Sequence, residues 1–146
     1  MRTRFIGDRR RGFMRWQEIP DPFGFIYLLR LWLIKFVSWA LALHWIRKAD
    51  YARDMHDHPW WFVSFVVWGG YKERTLEHPE GRWIRRWHFN YKPSGPKGQH
   101  IITEVLPNTL TLVLRGRNKH RWGFYTATGF IDSVTYERIY YGEDGR

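Results

Sequence analysis

The chain contains no cysteine among its 146 residues. Disulfides, thiolate metal sites and cysteine nucleophiles are therefore excluded, and any transition metal must be held by His, Asp or Glu. A cysteine-free chain suits a reducing cytoplasm, the expected location. Acidic residues are also scarce: 14 Asp and Glu stand against 24 Lys and Arg, a formal net charge of +10. Such a surplus favours anionic partners, whether nucleic acid, a phosphorylated or otherwise anionic small molecule, or a membrane surface. No internal repeat, low-complexity tract or linker divides the sequence. We expect a basic arm over residues 1–21, since Met1 to Arg15 carry six Arg and one Asp, and a single domain over 22–146.

An uninterrupted apolar run long enough to cross a bilayer is lacking as well. The nearest approach, FGFIYLLRLWLIKFVSWALALHW from Phe23 to Trp45, has Arg30 and Lys35 near its middle. Each charge would cost about 2.5–3.5 kcal/mol at the bilayer centre. Stable membrane insertion is therefore not expected. The run reads instead as a buried N-terminal helix over 22–37, followed by a strand over 40–47.

Aromatic residues, by contrast, are abundant: ten Trp, ten Phe and eight Tyr make up 19% of the chain, which argues for a packed core. Beyond residue 50 the pattern is β. Trp60 to Trp68 (WWFVSFVVW) ends at Gly69-Gly70, a hairpin signal, and Tyr71 to Glu77 reads as the returning strand. Further strands are expected at 82–91, 100–105, 109–115 and 121–126, separated by Pro- and Gly-containing turns. Short strands at this spacing predict a mainly β sandwich or barrel.

The chemistry concentrates in Met55-His56-Asp57-His58-Pro59-Trp60. On a strand, residues two apart share a face, so His56 and His58 present two imidazoles side by side while Asp57 points away. About forty residues later, Pro96-Lys-Gly-Gln-His100 sets a third His at the start of another strand. This arrangement of HxH, apolar strand and glycine turn, then P-x-G and His, resembles the two motifs of the cupin superfamily, with Gly70 where the first motif closes. The resemblance narrows to small cupin-like proteins of bacteriophages and bacteria. Their HDHPW element matches residues 56–60, and their R-x-W-G-F-x-T element resembles Arg121-Trp122-Gly123-Phe124-Tyr125-Thr126 with one change in spacing.

The resemblance covers roughly residues 40–130 and implies a cupin-type double-stranded β-helix, the RmlC-like jelly roll. It also implies one divalent transition metal on His56, His58 and His100. Fe(II) is favoured, with Zn, Mn or Ni as rivals. Cupins usually place a Glu ligand four or five residues after the second His, where this chain has Phe62 and Val63. The nearest carboxylate, Glu73, is left as fourth ligand, as the orienting partner of a His, or as the partner of Arg121; a three-His site with open positions is preferred.

Arg121 is the candidate clamp for an anionic substrate, because a guanidinium fork binds a carboxylate or phosphate with two hydrogen bonds. His44 reads as a core histidine, His88 as structural or pocket-lining, and His78 and His120 as solvated turn residues. The leading functional expectation is a metal-dependent oxidoreductase of the dioxygenase type acting on a small anionic substrate. Isomerase or lyase chemistry suits the same scaffold. The alternative is a non-enzymatic module that contacts nucleic acid or a protein through a basic aromatic surface such as Arg82 to Lys92 (RWIRRWHFNYK). Self-association into a homodimer is left open.

Overall fold

The structure is a computed structural model and describes residues 4–6 and 15–142. Thirteen strands form two antiparallel sheets among these residues. The seven-stranded sheet runs β1 (Arg4–Ile6), β2 (Arg15–Pro20), β3 (Ile26–Lys35), β4 (Ala40–Ile46), β11 (Thr109–Arg115), β6 (Phe62–Trp68) and β9 (Phe89–Lys92). The six-stranded sheet runs β13 (Gly129–Asp132), β12 (Gly123–Thr126), β5 (Met55–His56), β10 (His100–Val105), β7 (Gly70–Thr75) and β8 (Arg82–Arg85).

Period-two alternation builds the interior. Phe62, Ser64 and Val66 of β6, Thr109, Thr111 and Val113 of β11, and Ala40 and Ala42 of β4 are buried, because side chains two apart on a strand face the same way. The β6–β7 turn depends on Gly69. Its φ is +71°, and a Cβ there would come within 2.5 Å of Thr109 Oγ1. One cluster, Ile46, Val66, Tyr71 and Ile84, packs between the sheets. A second, Ala52, Phe124 and Tyr136, docks the C-terminal helix α1 (Ser133–Tyr141). Asp132 caps that helix by accepting from Thr135 N at 3.2 Å.

Several expectations need correction. The segment expected as a helix over 22–37 is strand β3, paired with β2 on one side and β4 on the other. A nearly continuous apolar run does not by itself separate a buried helix from a strand. The alternation Leu28, Arg30, Trp32, all turned to the interior cavity, is the strand signature within it. The arm expected over 1–21 is in part sheet: β2 adds to β3, and β1 adds to β2; residues 1–3 and 7–14 lie outside the described residues. The single strand expected over 82–91 is two. Trp87 takes φ 69° in the intervening turn, which lets β8 stay in the six-stranded sheet while β9 joins the other. No helix among the described residues is long and apolar enough to cross a membrane.

Candidate metal centre

His56 lies on β5, which is pinned between β10 and β12: His56 pairs with His100 on one side and with Phe124 on the other. His58 follows just past the strand. His100 opens β10, behind a single tight turn at Pro96–Gly98. Gly98 packs so closely on the Pro93 carbonyl that a Cβ would have no room. Asp57 points away from His56 and His58, as alternation requires, and is buried. It accepts from Gly123 N at 2.9 Å and Tyr125 Oη at 3.0 Å, and lies 3.1 Å from His120 Nε2. The middle residue of the HDH triplet thus ties β5 to β12 and holds its neighbours in place.

The three imidazoles converge. One ring nitrogen from each of His56, His58 and His100 lies within 4.8 Å of the others, and His58 Nε2 is 3.1 Å from His100 Nε2. Metal–imidazole bonds of about 2.0–2.1 Å at tetrahedral or octahedral angles set two ligand nitrogens roughly 2.8–3.4 Å apart. The His58–His100 spacing therefore fits a shared divalent ion. Burial lowers His56 to about 4, and burial together with its two histidine neighbours holds His58 well below its ordinary value. Both are neutral near pH 7, the form that binds metal.

Glu73 does not join the ligand cluster; it stands behind it. Its side chain is wholly buried. Oε2 lies 3.1 Å from His100 Nδ1 and accepts from Asn90 Nδ2 at 3.0 Å. Oε1 accepts from Lys92 Nζ at 2.8 Å and from the Arg82 guanidinium at 3.0 Å. Burial alone would raise this carboxyl, but the hydrogen bond from His100 and the charge and hydrogen bond of Lys92 outweigh it and hold the group well below the usual carboxylate range. With its Nδ1 proton donated to Glu73, His100 turns the Nε2 lone pair toward His58. A carboxylate–histidine pair of this kind fixes ring orientation and tautomer at metal sites. Phe62, where cupins usually place a Glu ligand, instead meets the His58 ring edge-on at 4.9 Å between centroids.

The triad opens on a cavity of about 140 Å³. Its walls are Leu28, Trp32, Ile46, Phe62, Ile102 and Val113, with Arg30, His44, Asp50, Trp60 and Arg115 among the polar and aromatic lining. Arg121 is exposed and does not line this cavity. Trp122 and Phe124 take the inward positions, with ring centroids 6.1 and 5.9 Å from His56, and alternation turns Arg121 outward. The cavity cations are Arg30 on β3 and Arg115 at the end of β11; in sequence Arg30 reads only as a charge within an apolar run and Arg115 as part of a solvated basic turn. The alternations Leu28-Arg30-Trp32 on β3 and Thr111-Val113-Arg115 on β11 turn them to the interior. Arg30 Nε donates to His44 Nε2 at 2.9 Å. Burial keeps His44 neutral, with Arg30 and Arg115 acting in the same direction.

Comparison with solved structures bears on the fold. The fold is similar to KdgF from Halomonas sp. (TM-score 0.53, 17% identity, 71% of this chain and 86% of that one). It is also similar to the polyketide cyclase RemF from Streptomyces resistomycificus (TM-score 0.57, 12% identity, 77% and 78%), and to FeII HppE (TM-score 0.53, 11% identity, 77% and 63%). The likeness is one of fold, a jelly roll of two facing antiparallel sheets, which in this chain carries a three-histidine group suited to a divalent metal. No family model and no curated protein matches the sequence.

Proposed function

We propose that this chain is a metal-dependent cupin enzyme acting on a small anionic substrate, with an Fe(II)-dependent oxidation of the dioxygenase type as the leading reaction. The observation that carries the proposal is the convergence of His56, His58 and His100, with His100 backed by buried Glu73, on a cavity that also holds two arginines. A divalent ion held there would supply Lewis acidity and coordination positions open to small molecules. The chain's own residues do the rest. Glu73 and Asp57 fix the histidines. Phe62, Trp60 and Ile102 give the cavity an apolar wall. Arg30 and Arg115 offer positive charge to an anion. FeII HppE, of the same fold, names iron for that protein; Zn, Mn and Ni remain the alternatives for this one. The test is to load the protein anaerobically with Fe(II) and follow oxygen uptake across a panel of small carboxylic acids. Substrate-dependent uptake that disappears in His100→Ala is expected. Stable metal loading without turnover in oxygen would redirect the search to isomerase and lyase substrates.

A second reading has its own observation. Trp68, Trp87, Phe89 and Tyr91 are exposed, and the Arg86 guanidinium lies 4.4 Å from the rings of both Trp68 and Trp87. Interleaved aromatics and arginine suit stacking on single-stranded nucleic acid. Binding of a fluorescent single-stranded oligonucleotide that weakens with salt and with Trp87→Ala, but not with His56→Ala, would support this surface.

A further inference from the structure

The end of the cavity beyond the histidines is built from two arginines and two tryptophans. Arg30 and Arg115 each place the guanidinium carbon 5.1 Å from the Trp32 ring centroid. Arg115 also lies 4.3 Å from the Trp60 ring, and Trp60 is stacked on His58 with centroids 6.0 Å apart. Trp60 therefore spans the distance between the metal ligands and the Arg115 guanidinium. Lys35 Nζ lies 5.3 Å from the same Trp32 ring, so three cations share one indole and repel one another, and such a group ordinarily has a carboxylate beside it. Here, among the described residues, the hydrogen-bond partners of Arg30 are His44 and Gln17, both neutral. Those of Arg115 are the Gly116 carbonyl and Asn118. Arg115 Nε is buried with no hydrogen-bond partner among the described residues. A buried donor left unpaired costs free energy and is a common mark of a place where a ligand atom belongs.

We propose that Arg30 and Arg115 form a carboxylate subsite that selects a small, flat, monoanionic acid and directs its body along Trp60 toward the histidine triad. The proposal rests on the reading of this cavity as a substrate site and names the substrate class. Three features set that class. The guanidinium fork matches a carboxylate with two parallel hydrogen bonds. The wall near the arginines combines apolar Leu28, Ala42 and Val113 with the hydroxyls of Thr111 and Ser64 and suits a hydrocarbon or aromatic body with at most a small polar substituent. A cavity of about 140 Å³ matches the roughly 150 Å³ that accommodates benzene in an apolar core, so the body of the acid is on the scale of a single six-membered ring. Asp50 lines the same cavity and disfavours a phosphate dianion, which carries twice the charge.

The test uses the full chain, in metal-free and zinc-loaded forms, titrated calorimetrically with benzoate, its neutral isostere benzamide, and inorganic phosphate. One benzoate per chain is expected, bound at least tenfold more tightly than benzamide and than phosphate. Arg115→Gln should lose at least tenfold in benzoate affinity, and Arg115→Lys should lose a smaller part. Equal affinity for benzoate and benzamide would overturn the subsite, as would benzoate binding unchanged in a folded Arg115→Gln or Arg115→Lys protein. Tighter binding of phosphate than benzoate would overturn its assignment to carboxylates. The metal reading fails separately: if zinc does not bind while metal-free protein still discriminates benzoate from benzamide through Arg115, the subsite stands without it.

Discussion

His100 and Glu73 face each other inside the six-stranded sheet, Nδ1 to Oε2 at 3.1 Å, and everything else that touches Glu73 serves to keep it ionised and fixed. The carboxylate is a positioning group for a metal ligand and a counter-charge for Lys92 and Arg82 at once. These two roles separate experimentally.

Glu73→Gln keeps the shape and part of the hydrogen bonding but removes the charge. Loss of a carboxylate behind a ligating histidine typically costs 10–100-fold in metal affinity. Leaving Lys92 buried without its partner is destabilising on the scale of about 3–5 kcal/mol for a broken buried pair. We expect a lower melting temperature together with at least a tenfold weaker zinc affinity, measured by competition with a chromogenic chelator. A lower melting temperature with unchanged zinc affinity would show that Glu73 serves Lys92 alone.

The buried histidines set the pH response of the metal-free protein. His56 is lowered to about 4 from 6.5, chiefly by burial, and His44 and His58 are also well below 6.5 for the same first reason. Above pH 6.5 these groups are neutral in both folded and unfolded chains and contribute no pH dependence. As pH falls below 6.5 the unfolded chain takes up protons that the folded chain refuses, so stability is lost from 6.5 downward. His56 alone accounts for on the order of 3 kcal/mol by pH 4. Urea midpoints of metal-free protein should fall steadily between pH 6.5 and 4.5; a flat profile down to pH 5 would contradict the burial of these rings.

Gly69 sets the β6–β7 turn that carries the chain from one sheet to the other. Its positive φ and the 2.5 Å approach of a Cβ to Thr109 Oγ1 make Gly69→Ala destabilising by about 1–3 kcal/mol, the usual scale for backbone strain. Calorimetric melting checks this, and an unchanged melting temperature would mean that the turn relaxes without cost.

The legible part of this protein was its period-two half. HDH, the Gly69-Gly70 turn and the P-x-G-x-His loop are short-range patterns, and the structure brings their three histidines together. Strands over 40–47, 100–105 and 109–115 appear within a residue or so of their expected bounds. The misreadings come from long-range context. Apolar residues occupy both faces of β3, a pattern a buried helix shares, and only pairing with β2 and β4 decides its conformation. Arg121 has the fork that suits an anion clamp and borders the Trp122-Gly123-Phe124 run, but neither fact fixes where it points. Facing depends on where β12 starts, and the strand begins at Gly123. Arg30 and Arg115 sit 85 positions apart in sequence, and only the β3–β4–β11 order of the sheet brings them to one tryptophan.

The central claim is a single metal ion on three histidines, and elemental analysis tests it most directly. Full-length protein loaded anaerobically with Fe(II) or with zinc, then desalted, should carry about one metal atom per chain. His56→Ala, His58→Ala and His100→Ala should each lose most of it while remaining folded by circular dichroism. Wild-type protein that retains no metal under these conditions, or a folded His100→Ala protein that retains the full amount, would contradict the account.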